Sequence, residues 1–281
     1  MILIASAAYI DQDLSAEVGL IPPSFLPIGN KRLYEYQIAY FSEAESEIYI
    51  SLPASFLINE SDRARILELN ATIIFVPDGM SLGESVLYSW NASGKAYSRL
   101  TILHGDTLFS EKCSYEKDVV SIFPNKGAYH RAVVCYDDNS KLVHLTQSWV
   151  NDSRQVLTGL FNFTNPQYLM KCIVESKNNF VHSLQKYAND YSVACEKING
   201  WLDFGHLNSF FSSRTAMTTQ RIFNDLEING RRLTKKSKDT LKMRAESNWF
   251  DSLPRSLSIH TPPLVEPYNE VGEFGCYTIE Y

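Results

Sequence analysis

Thr101-Ile-Leu-His-Gly-Asp106-Thr-Leu-Phe109 and, nearly a hundred residues later, Gly200-Trp-Leu-Asp203-Phe-Gly-His206 decide how this chain is read. Each segment ends an apolar run on one acidic residue beside glycine. A buried strand delivers a carboxylate to the open edge of an α/β sheet in this way, and ligands of such sheets bind at that edge. Two carboxylates converging there repel by about 4 kcal/mol at a separation of about 4 Å and an effective dielectric of about 20. A divalent cation whose shell is completed by phosphate oxygens turns that repulsion into a binding site. Taken alone, Gly105-Asp106 also reads as a turn and Asp203 as a helix cap.

Working outward, apolar runs alternate with amphipathic stretches, the signature of βαβ units. Strands are predicted at Met1–Ala7, Glu47–Leu52, Ala71–Val76 and Leu100–Leu103. Between them the pattern predicts helices at Leu33–Ala44, at Ser61–Leu69 capped by Asn59 or Ser61, and at Leu82–Ser93, opening at Gly83. These four strands are expected to run parallel. Beyond Asp106 strands dominate, at Val119–Phe123, Ala132–Tyr136 and Leu157–Phe163, and are expected to form an antiparallel addition that carries the second substrate. Helices near Pro166–Glu175 and Asn178–Asp190 precede Trp201.

After Ser213 the character changes. Arg221–Ile228 and Arg231–Lys236 flank Asn229-Gly230, a strong hairpin signal. A helix at Asp239–Phe250 stops before Pro254, and a proline-rich stretch leads to a last strand at Gly275–Tyr281. The predicted fold class is therefore α/β: a Rossmann-like, mixed but mainly parallel sheet with helices on both faces, plus a small C-terminal ββαβ unit. The domains are set at residues 1–215 and 216–281.

With 281 residues, the chain can bury a full core. Its net charge of −6 and the lack of a basic block argue against nucleic acid. The cations from Arg231 to Lys238 read as a solvated hairpin end. The apolar start, Met1 to Ile10, is too short to span a membrane and lacks a positive leader segment. Five scattered cysteines without a CxxC pair indicate neither a disulfide framework nor a zinc site. A cytoplasmic protein with reduced thiols is expected.

Four stretches of the first 215 residues resemble the sugar-phosphate nucleotidyltransferases, or nucleotide-sugar pyrophosphorylases, of the divergent capsule or surface-glycan type. They are Pro22-Pro23-Ser-Phe-Leu-Pro27-Ile-Gly29-Asn-Lys31-Arg-Leu33, Ser81-Leu-Gly83-Glu-Ser85, Leu103-His-Gly105-Asp106-Thr and Trp201-Leu-Asp203-Phe-Gly205. The resemblance implies a reaction between a nucleoside triphosphate and a phosphorylated sugar or small alcohol, with release of pyrophosphate. It implies Asp106 and Asp203 as catalytic residues holding Mg²⁺. Backbone from Ser6 and Ala7 would wrap the triphosphate, Gly83 would approach the base, and Gly105 would belong to the nucleotide site. Gly159 and His206 would line the substrate pocket.

Two family cations are missing. The loop from Ser6 to Gly19 has no early glycine pair and no arginine, and Pro23 stands where the family has lysine. Loss of one preorganised donor of this kind typically costs about 10²–10³ in rate. The alternative is a catalytically inactive nucleotide or nucleotide-sugar binding module attached to a small-molecule kinase. Residues 220–281 resemble the start of a choline-kinase or aminoglycoside-phosphotransferase N-lobe, with Lys235 as the nucleotide-binding lysine and Glu246 as its partner. This resemblance implies a further kinase domain beyond Tyr281 as a partner. A homo-oligomer is the other partner expected.

Overall fold

The computed structural model describes residues 1–112, 116–125, 127–221, 224–229 and 232–280. By its internal contacts the chain divides into two units, Met1–Phe211 and Ser212–Tyr281.

In the first unit β1 (Ile2–Ala5) leads through α1 (Gln12–Val18), the short β2 (Pro27–Ile28) and β3 (Lys31–Arg32) to α2 (Leu33–Tyr40). Next come β4 (Ile48–Pro53), α3 (Glu60–Glu68), β5 (Ala71–Val76), α4 (Leu82–Ala92), β6 (Leu100–His104) and β7 (Thr107–Phe109). The chain continues with β8 (Val119–Pro124), β9 (Tyr129–Tyr136), β10 (Leu142–Val150), β11 (Gln155–Phe163), α5 (Pro166–Glu175), α6 (Phe180–Asp190), β12 (Ala194–Lys197) and β13 (Trp201–Asp203). Then α7 (Leu207–Thr219) runs across the division between the units.

The main sheet has the order β10-β9-β11-β6-β1-β4-β5, with β8 paired to β11 and β12. Strands β6, β1, β4 and β5 are parallel, and β11 runs antiparallel against β6. The expected mainly parallel, mixed α/β sheet is therefore present, flanked by helices. Ile2, Leu3 and Ile4 are all buried, and so is every residue of β4. Successive strand residues point to opposite faces, so both faces of the sheet are covered. On one face Leu3, Tyr49, Ile74, Ile102 and Phe161 pack with Val86 of α4, Leu169 and Ile173 of α5, and Leu184 and Tyr187 of α6.

Side-chain caps define the helix starts. Asn59 accepts from Asp62 N–H, and Ser81 and Glu84 form a reciprocal capping box on α4. Asn165 precedes Pro166 at the start of α5.

The second unit has β14 (Gln220–Arg221), β15 (Asn224–Asn229), β16 (Arg232–Ser237), α8 (Thr240–Asp251), α9 (Arg255–Ser258), β17 (Leu264–Val271) and β18 (Phe274–Glu280). Its antiparallel sheet has the order β14-β15-β16-β18-β17. The hairpin partners Asn229 and Arg232 face each other. The turn residues 230 and 231 lie outside the described residues, as do Cys113 and Tyr281. The unit is richer than the expected ββαβ by two strands, the short β14 and β17, and by the short helix α9. Of the cations near the hairpin, Arg232 pairs with Glu266, Lys235 with Glu246 and Lys238 with Glu273. The described cysteines, at 135, 172, 195 and 276, are free thiols.

Candidate functional site

Asp106 follows β6, whose parallel pairing with β1 brings the turn beside Ser6. A Cβ on Gly105 would lie 2.6 Å from Ser6 Cβ and Oγ, so only glycine permits this approach of the two strand ends. From below, the buried Gln37 of α2 holds the turn. Its Nε2 lies 3.1 Å from the His104 carbonyl, 3.1 Å from that of Gly105 and 2.9 Å from that of Thr107.

The second aspartate arrives by a separate, two-stranded ladder. β13 pairs antiparallel with β7, setting Trp201 opposite Phe109, Leu202 opposite Leu108 and Asp203 opposite Thr107. The ladder closes with the Phe204 N–H donating to the Asp106 carbonyl at 2.8 Å and the Ser110 N–H to the Gly200 carbonyl at 3.1 Å. Gly200 has φ +68°, and a Cβ there would lie 1.6 Å from Ser110 Oγ, so this close pairing requires glycine.

The two carboxylates meet over Gly205. A Cβ on Gly205 would lie 2.4 Å from Asp106 Oδ2 and 3.3 Å from Asp203 Oδ1. Those two oxygens are therefore separated by no more than 5.7 Å, the sum of the two distances. The space between them is one that any side chain at 205 would fill.

The two acids have different surroundings. Asp106 Oδ1 lies 3.2 Å from the Thr107 hydroxyl. Asp203 receives the Arg131 guanidinium on Oδ2 and the Gly205 N–H on Oδ1 at 3.0 Å, with His206 Nδ1 3.3 Å from Oδ2. Burial pushes the Asp203 carboxyl up, but the His206 ring, the Arg131 charge and the Gly205 N–H outweigh it and hold its pKa at about 2. Arg131 lies 5.1 Å from the Tyr129 ring centroid and 5.1 Å from that of Trp201. Tyr129 in turn stacks on His206 at 3.9 Å.

His104 is half-buried at the end of β6. Burial depresses its pKa, with the Asp106 charge acting in the opposite direction. A Cβ on Gly159 would lie 2.9 Å from His104 Cγ, so Gly159 of β11 makes room for that ring.

The remaining expected residues sit as follows. The Ser6 N–H donates to Ser51 Oγ at 3.1 Å, while Ser6 Oγ accepts from the Ser24 N–H at 3.0 Å. Ala7 is buried in the core. Asp11 caps α1 by accepting from the Leu14 N–H at 2.8 Å, which places a carboxylate at the end of the first loop. Gly83 is buried on α4, where an added Cβ would lie 2.2 Å from the Asn178 carbonyl oxygen. In the second unit Lys235 and Glu246 form an ion pair, and the Tyr277 hydroxyl donates to Glu246 at 2.9 Å.

The structure thus brings together Asp106, Asp203, His206 and Gly105 at one edge, with Gly159 behind His104. Sequence reading missed Arg131, Gln37, Tyr129 and Gly205. Gly205 had a signal, since it lies within the quoted Trp201-Leu-Asp203-Phe-Gly205 stretch. Among the described residues no group of three or more His, Cys, Asp or Glu side chains is placed to hold a metal ion. No helix among them is long and apolar enough to cross a membrane.

No family model and no curated protein matches the sequence. Solved structures do match the fold. CTP:phosphocholine cytidylyltransferase from Streptococcus pneumoniae is 13% identical, covers 77% of this chain and 98% of its own, and superposes with a TM-score of 0.61. The nucleoside-diphosphate-sugar pyrophosphorylase from Vibrio cholerae RC9 is 13% identical over 76% of this chain and 99% of its own, with a TM-score of 0.63. A UDP-glucose pyrophosphorylase complexed with UDP-glucose is 16% identical over 78% and 98%, with a TM-score of 0.59. At these identities the likeness is one of fold.

Proposed function

We propose that this chain is a Mg²⁺-dependent nucleotidyltransferase. It joins the nucleotidyl group of a nucleoside triphosphate to a phosphorylated sugar or small alcohol, in surface-polysaccharide, capsule or headgroup synthesis. The observation that carries this reading is the convergence of Asp106 Oδ2 and Asp203 Oδ1 over Gly205. The folds it resembles act on phosphocholine and on nucleotide sugars, which supports the substrate class.

The donor set fits the ion. The space above Gly205 is bordered by one oxygen from each carboxylate, and Asp203 stays ionised at any physiological pH. Two hard oxygen donors suit Mg²⁺, which seldom occupies an all-protein cage and takes much of its shell from water and phosphate. When bound, Mg²⁺ supplies charge neutralisation for the phosphate oxygens.

The remaining work falls to the chain. An oxygen of the acceptor's phosphate attacks the α-phosphorus, the bond from that phosphorus to the bridging β-oxygen breaks, and pyrophosphate leaves with the bond electrons. Catalysis of such a displacement is mainly positioning and charge stabilisation. Gln37 and the β7–β13 ladder hold the two aspartates in place for it, and His206 faces the same edge.

A second reading is a binding module that has lost turnover. It is favoured by the Ser6 N–H being committed to Ser51 and by the Asp11 carboxylate at the start of α1, where a triphosphate loop would need free donors. In the second unit, the Lys235–Glu246 pair supports a kinase-like lobe.

The test is a pyrophosphate-release assay with Mg²⁺, a panel of triphosphates, and phosphocholine or sugar 1-phosphates as acceptors. Release that Asp106→Asn abolishes supports the transferase. Thermal stabilisation by a nucleotide or nucleotide sugar without any release across the panel supports the binding module, a ligand at about 100 Kd adding about 2.7 kcal/mol.

A further inference from the structure

Asp203 presents its two oxygens to different neighbours. Oδ2 takes the Arg131 guanidinium and lies 3.3 Å from His206 Nδ1. Oδ1 accepts from the Gly205 N–H at 3.0 Å and borders the space that it shares with Asp106 Oδ2. The side chains of Arg131 and Asp203 are only 11% and 12% exposed, and the guanidinium lies against the rings of both Tyr129 and Trp201. Turning Oδ2 toward an ion over Gly205 would strand a buried positive charge that the aromatic slot prevents from following.

We propose that Arg131 is a positioning residue that restricts Asp203 to a single coordinating oxygen, and so biases the aspartate pair toward small octahedral cations and against Ca²⁺. Mg²⁺ and Mn²⁺ accept one oxygen from each carboxylate and fill the remaining positions with water or phosphate. Ca²⁺ takes about 6–8 oxygens at longer distances and gains from carboxylates that bind through both. Holding Oδ2 on Arg131 removes that gain. The inference rests on the metal-dependent reading above and names what sets the ion preference of that site.

The experiment uses the full chain without nucleotide. Bound and free Mn²⁺ are separated by electron paramagnetic resonance, and Mg²⁺ or Ca²⁺ is titrated in as competitor. The wild type should release Mn²⁺ to Mg²⁺ at lower concentration than to Ca²⁺. Arg131→Gln should shift the Ca²⁺-to-Mg²⁺ ratio of competing concentrations in favour of Ca²⁺ by about fivefold or more. Arg131→Met, which fills the slot between Tyr129 and Trp201 without a charge, should do the same and serves if the Gln variant does not fold. Arg131→Lys keeps a cation on Oδ2 and should leave the ratio near the wild-type value.

A charge effect alone would raise the affinity for both ions equally. An unchanged ratio in the Gln and Met variants therefore overturns the proposal while leaving the metal site intact. Wild-type protein that binds no Mn²⁺, or binds it as well after Asp106→Asn, overturns the metal-dependent reading itself.

Discussion

Asp203 keeps its charge at a depth where an unaided carboxyl would tend to be protonated. Its folded-state pKa of about 2 lies below the unfolded value of about 3.9, so the ionised form is the one folding favours. That contribution is fully present above the unfolded pKa and is lost as pH falls toward about 2, a difference of about 2–3 kcal/mol. Asp203→Asn removes it and leaves Arg131 buried without its counter-charge, which typically costs about 3–5 kcal/mol. The stability gap between wild type and Asp203→Asn, read from urea midpoints, should be widest near neutrality. It should narrow as pH falls from about 5 to about 2. Parallel curves would mean that the Arg131 pair contributes nothing to folding. Arg131 itself was invisible in the sequence. In His130-Arg131-Ala132 it lies just before the predicted strand Ala132–Tyr136, and only the fold extends β9 back to Tyr129 and sets Arg131 against Asp203.

At the scale of elements, the turn carrying Asp106 depends on a helix that does not touch the chemistry. The two Nε2 hydrogens of Gln37 of α2 are shared among the carbonyls of His104, Gly105 and Thr107. Replacing it with Leu keeps the volume but removes the two N–H donors that those carbonyls share, at about 1–3 kcal/mol for each donor lost. We expect Gln37→Leu to destabilise the protein by about 2–4 kcal/mol in chemical denaturation and to weaken Mn²⁺ binding at the aspartates. A variant as stable as wild type would remove Gln37 from the account.

Besides short strands such as β2, β3, β12 and β14, two long strands, β10 and β17, escaped the sequence pattern for physical reasons. β10 is the sheet's edge, with burial confined to Leu142, Leu145 and Val150, so its run Leu142-Val-His-Leu-Thr-Gln-Ser-Trp-Val150 shows no continuous apolar stretch. β17 contains Pro267, which normally argues against a strand. It is tolerated because β17 is an edge strand whose register shifts between Glu266 and Asn269. By contrast, the buried parallel strands and their capped helices were legible, because hydrophobic runs and cap residues are local signals.

For the molecule as a whole, the division after Phe211 allows the two units to be perturbed separately. Glu246 is held ionised against the cost of its burial by Lys235 and the Tyr277 hydroxyl. Glu246→Gln leaves Lys235 without its charge partner. Hydrogen exchange should then quicken in β16, β18 and α8 while amides of β1, β4 and β6 keep their protection, because the pair lies within the second unit. Equal quickening in both units would show that they unfold as one.

Read alone, the chain determined a mainly parallel α/β sheet and two carboxylates each ending a buried run, since strand period, helix caps and glycine turns are written in neighbouring residues. The tertiary structure alone decided that Asp106 and Asp203 meet over Gly205 and that Arg131 takes one oxygen of the pair. Those contacts join residues 72 and 97 positions apart. They follow from the register of β13 on β7 and the placement of β9, which depend on how the whole sheet packs.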